Sequence, residues 1–90
     1  DKTKDLVLWG AGKKGKLVAK ELLQRGVTFS WVTNNPNKIG VEIYGVILMG
    51  DEVLDFRNVQ LILAISSPPE KRDIEKIILV NHVNDYFWFF

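Results

Sequence analysis

The stretch LVLWGAGKKGK, residues 6–16, passes from an unbroken apolar run through Gly10-x-Gly12-x-x-Gly15 into a pattern of helical period. It reads as strand, phosphate-sized turn and helix start, the opening unit of a nucleotide-binding α/β fold. Each glycine has its own task in such a turn. Gly10 makes the tight bend, Gly12 lets a pyrophosphate reach bare backbone, and Gly15 lets helix and strand pack closely. The helix start then offers N–H groups and a positive dipole end to an anion.

Working outward, residues 6–9 suit a central parallel strand covered on both faces. Residues 13–25 form the clearest helix, with Gly15, Val18, Ala19, Leu22 and Leu23 on one face and Lys13, Lys16, Lys20 and Gln24 opposite. Glu21 and Arg25 are spaced for an i,i+4 pair, and Gly26 is placed to stop the helix. Residues 27–33, VTFSWVT, make a second strand, followed by the loop Asn34-Asn35-Pro36-Asn37. Residues 40–48 read as an irregular connection ending in a third strand near residues 46–48. A brief helix is expected from Gly50-Asp51 to Phe56. Residues 61–65 form a fourth strand.

Ser67-Pro68-Pro69-Glu70 has the form of a capping box, with Ser67 at N-cap and Glu70 reaching back, opening a helix to about His82. Ile74, Ile77 and Ile78 would face the sheet. Residues 85–90, DYFWFF, form the last strand, either central in the sheet or docked against something outside the chain. The expectation is an α/β fold, a three-layer, Rossmann-like, open and mostly parallel sheet. Numbering the five strands along the chain, their order is 3-2-1-4-5.

Ninety residues suffice for one domain, spanning 1–90, and leave no room for a separate substrate domain. The chain starts at Asp1 rather than methionine, so it is read as excised from a larger protein. With 47% hydrophobic and 26% charged residues the composition is globular, and no apolar run is long enough to span a bilayer. A cytoplasmic protein without membrane insertion is expected. Absence of cysteine removes thiolate metal sites and cysteine nucleophiles, and the single histidine, His82, leaves no metal cluster to propose. Residues 1–40 carry eight Lys and Arg against three acids, whereas residues 41–90 carry four against eight. A positive field beside the glycine turn suits a phosphate-bearing small molecule, but the cluster is too small to argue for nucleic acid.

In this topology the ligand crevice lies beyond the carboxyl ends of the strands. The candidate binding residues are therefore Gly10, Ala11, Gly12, Lys13, Lys14 and Gly15 of the turn, with Asn34 after the second strand and Ser66 after the fourth. Each lysine, Lys16 included, is equally well read as part of a solvated helix face, while Asn34, which could bond a ribose or a base edge, reads somewhat better as a turn residue. Dinucleotide enzymes end the second strand with an acid for the ribose hydroxyls; here Thr33 and Asn34 stand there, which lowers NAD as the ligand. Lys38 is thin evidence for the extra phosphate of NADP. Gly10-x-x-x-x-Gly15-Lys16 nearly matches a P-loop, but Leu17 replaces the magnesium-binding Ser or Thr. Ser67 is a cap with no histidine to activate it. No acid–base pair, metal site or catalytic couple stands out, so the domain is expected to bind rather than catalyse.

At LVLWGAGKKGKLVAKELLQRG, then WVTNNPNKIG and IYGV, the chain resembles a family of small Rossmann-like domains of bacterial sugar metabolism. These occur as C-terminal appendages of family 2 glycosyltransferases, which this chain resembles most, at the front of sialic-acid-type sugar O-acyltransferases, and in nucleotide-sugar enzymes of polysaccharide assembly. The resemblance covers most of the chain. It implies a nucleotide or nucleotide-sugar held at Gly10, Gly12 and Gly15, in the service of the parent protein's catalytic domain. Family members often carry acids where this chain has Thr33 and Asn34. Two alternatives stand beside this reading, a ligand-free interaction or dimerisation module that uses the DYFWFF strand, and an NAD(P)-binding domain.

Overall fold

The computed structural model describes residues 4–65 and 67–89. Its centre is β1 (Asp5–Trp9), followed by α1 (Lys13–Gln24), β2 (Ser30–Val32), β3 (Glu42–Ile43), β4 (Val46–Ile47), β5 (Val59–Leu63), α2 (Pro68–Val80) and β6 (Tyr86–Trp88). Four strands form one parallel sheet in the order β2-β1-β5-β6, and β3 and β4 form a separate antiparallel pair. The chain is therefore α/β, with β1 and β5 side by side where the winding direction reverses.

Alternation along the strands explains the apolar runs. Val7, Trp9, Leu61 and Leu63 pack on Ile74 and Ile78 of α2, while Leu8, Trp31 and Ala64 pack on Val18 and Ala19 of α1. Each strand face is thus covered by a helix, and continuous apolar sequence is what two covered faces require. Ile74 is fully buried, a contribution of about 2 kcal/mol for a side chain of that size. No helix among the described residues is long and apolar enough to cross a membrane.

The expected strand order needs one correction. Residues 46–48 do not supply a third strand of the main sheet. Tyr44 and Gly45 both take positive φ, 53° and 82°, and fold β3 and β4 into a hairpin with the turn geometry that suits strand twist. Backbone pairing with the main sheet is limited, among the described residues, to a parallel bridge between Met49 and Val32, while Ile43, Val46 and Leu48 pack against its α1-covered face. Tyr44 hid this turn, because glycine or asparagine is the usual occupant of its position.

Other boundaries shift for local reasons. The second strand starts at Ser30 rather than Val27, because Val27 N–H bonds to Leu22 O and Gly26 N–H to Leu23 O. With Gly26 at φ 70°, this is a Schellman ending that consumes the residues after the helix. His82 ends α2 the same way, at φ 54°, with its N–H on Leu79 O and that of Val83 on Ile78 O. Residues 51–53 make only a 3-10 turn after Gly50, not a helix to Phe56. The fourth strand runs two residues earlier than expected, because β1 ends at Trp9 and offers no further partner.

The capping box forms only in outline. Ser67 occupies the N-cap of α2 and Pro68 the first helical position, but the Ser67 side chain makes no capping hydrogen bond. The Glu21–Arg25 pair is present at 2.8 Å. β6 lies at the sheet edge, and Phe90 of the expected final strand is outside the described residues. Its entry is tied down by Asp85, which accepts from Gln60 Nε2 at 3.2 Å and Lys4 Nζ at 3.3 Å. The Gln60 bond first, then Lys4, hold the Asp85 carboxyl below the ordinary carboxylate range.

Candidate functional site

The turn after β1 divides its three glycines by role. Gly10 has φ +123°, and a Cβ there would run into the backbone carbonyl of Ala64 at the end of β5. A Cβ on Gly15 would meet the carbonyl of Gly10, so the first turn of α1 lies directly on the bend. Gly12 is different, since nothing lies within 4 Å of where its Cβ would be. Two glycines are demanded by packing and the third faces open space.

That bend is held from beneath. Trp31 Nε1 donates to Gly10 O at 2.6 Å, inside the core, and Gly10 N–H donates to Val32 O at 2.9 Å. Gly12 is the N-cap of α1, with no side-chain cap and no acid in the first turn. The first N–H groups of the helix, such as those of Gly12 and Lys13, have no carbonyl one turn earlier to reach. Donors at a helix start, with the positive end of its dipole, are the chemistry that suits an anion.

A cleft of about 140 Å³ opens beside this turn, lined by Gly10, Ala11, Gly12, Thr33, Asn35, Lys38 and Glu70. It is smaller than the roughly 300–1,000 Å³ that encloses a whole drug-sized ligand, so it suits one portion of a longer molecule. Its far wall is well ordered by local bonds. Thr33 Oγ1 accepts from Asn35 N–H at 3.1 Å, Asn35 Oδ1 from Asn37 N–H at 3.0 Å, and Asn35 O from Lys38 N–H at 2.9 Å. Lys38 Nζ then reaches across to Ala11 O at 3.0 Å.

The structure brings Gly10, Ala11 and Gly12 together at the cleft, with Gly15 supporting them from the helix. Lys13 instead lines a separate hollow on the outer face of α1, with Lys16, Leu17, Lys20 and Tyr44. Lys14 is half-buried on the first turn. Asn34 is engaged elsewhere, because its Oδ1 accepts from Trp9 Nε1 at 3.2 Å. Ser66 lies outside the described residues.

Sequence reasoning did not place Asn35 and Glu70 beside the glycine turn, and it named Lys38 only for the extra phosphate of NADP; all three line the cleft. For Lys38 a signal existed in its distance past β2 and the turn-forming asparagines that bend the loop back. For Glu70 the capping reading masked it. Among the described residues no group of three His, Cys, Asp or Glu is placed to hold a metal ion. No protein-family model matches the chain, and no curated protein is significantly similar to it.

Proposed function

We propose that this chain is a Rossmann-like, non-catalytic domain that binds a nucleotide or nucleotide-sugar at its glycine turn. In this reading it serves the catalytic domain of a cytoplasmic bacterial glycosyltransferase or related polysaccharide-assembly enzyme. The observation that carries the binding site is the division among the glycines. Packing accounts for Gly10 and Gly15, whereas Gly12 relieves no internal clash and borders a cleft at an uncapped helix start. Close approach of a ligand's phosphate gives that third glycine a purpose. The sugar-metabolism setting is supported by the resemblance of residues 6–26, 31–40 and 43–46.

An NAD(P) site fits less well. Thr33 is buried, Asn34 is bonded to Trp9, and the cleft wall at the end of β2 offers no acid for a ribose diol.

Gly12→Val separates binding from folding. Its φ of −82° is open to any residue and the space is empty, so the change in stability is expected to stay within about 1 kcal/mol. Affinity for UDP-sugars, read by calorimetry, is expected to fall at least about tenfold, a loss of ~1.4 kcal/mol. Unchanged affinity in a folded Gly12→Val variant would refute the placement of phosphate at this turn.

A second reading, self-association through β6, is favoured by its edge position and by exposed Tyr86 and Phe87, with Leu79 and Val80 of α2 also exposed. An unpaired aromatic edge strand is a template for another strand. If a second copy pairs there, sedimentation shows a dimer that Phe87→Glu converts to monomer. A monomer at high concentration excludes it.

A further inference from the structure

The cleft carries one charge of each sign, and that asymmetry bears on what part of a ligand each wall meets. Lys38 stands on the wall formed by residues 33–38, and Glu70 on the wall formed by the first turn of α2. The anion belongs near α1 and not α2. Pro68 and Pro69 have no N–H, so the first turn of α2 is stripped of donors that the first turn of α1 retains. Lys38 shares the α1 side, since its ammonium already lies on Ala11 O. An ammonium has three donors, and the bond to Ala11 leaves others for a phosphate oxygen without moving the loop.

Glu70 cannot serve the same phosphate. A carboxylate accepts hydrogen bonds and repels a second anion, and paired sugar hydroxyls are the groups that satisfy it. It stands in the cleft where the end of β2 supplies no acid.

Resting on the nucleotide-sugar reading above, we infer that the site selects phosphate esters whose hydroxyl-bearing portion is neutral. Lys38 takes the phosphate and Glu70 accepts from the sugar hydroxyls, so a uronic acid in the place of a neutral sugar is rejected. Lys38 and Glu70 are the specificity-determining pair of the cleft.

The test compares UDP-glucose with UDP-glucuronate, which differ only at C6, on wild type, Lys38→Met and Glu70→Gln, with GDP-mannose as a probe of a different base. Affinities are read by calorimetry and site occupancy by the amide resonances of residues 10–16. Wild type is expected to prefer UDP-glucose by about tenfold, and Glu70→Gln to narrow that preference to about twofold or less. Lys38→Met is expected to weaken both UDP-sugars alike, by about tenfold. If the amides shift but wild type and Glu70→Gln bind both sugars equally, the selectivity is refuted and the nucleotide site stands. If no nucleotide shifts those amides, both readings fall together.

Discussion

Replacing Gly10 with alanine is expected to cost roughly 3 kcal/mol of stability, a large share of what a domain of this size holds in reserve. Two effects act at the same atom. The φ of +123° lies where a residue with a side chain is strained, and the added Cβ meets the Ala64 backbone, which cannot swing aside as a side chain would. Ala64 is itself fixed, because its N–H donates to Trp9 O at 2.9 Å. Relief would require β1 and β5, the two central strands, to part. Thermal unfolding followed by circular dichroism is expected to show a fall in Tm of about 15 °C. A variant within a few degrees of wild type would mean that the bend is not constrained as described.

Trp31→Phe is expected to destabilise by a similar amount, roughly 3 kcal/mol, by a different route. Trp31 is fully buried, 6.4 Å from Tyr44 in a stacked pair and 6.3 Å from Phe29 in a tilted one. Phenylalanine keeps an aromatic ring but leaves unfilled volume and removes the N–H that satisfies Gly10 O. A buried carbonyl without its donor costs about 1–3 kcal/mol, and the incomplete filling adds to it. Denaturant unfolding is expected to show a lower midpoint with an unchanged slope. Since Trp31 holds the bend from below, a loss of less than about 1 kcal/mol would show that the indole bond carries little of the turn.

These two residues also show what was readable from the sequence. The glycine turn and the helix after it follow from local chemistry, since spacing and period determine both. Nothing local reveals that the carbonyl of Gly10 is capped by an indole 21 residues later. Trp31 read simply as a core residue, which is correct and incomplete. The partner of Asn34 was equally hidden, because the Trp9 indole that donates to its Oδ1 is 25 residues away in sequence. The hairpin of β3 and β4 was missed because a tyrosine takes the left-handed position that normally announces itself as glycine or asparagine. Glu70 was assigned to a cap on sequence spacing alone, whereas the sheet order brings the start of α2 beside the glycine turn and puts Glu70 in the cleft. Local pattern fixes elements well; the site is a product of strand order, which only long-range pairing decides.

The most direct measurement is an amide-resolved NMR titration of the domain with UDP-GlcNAc, UDP, GDP-mannose, NAD, NADP and ATP. Saturable shifts at residues 10–16, 33–38 and Glu70 with a nucleotide-sugar, and weaker or no shifts with NAD and NADP, are the expected result. Silence at those amides with every nucleotide at millimolar concentration would contradict the nucleotide site and leave the turn as a packing solution between β1, β5 and α1.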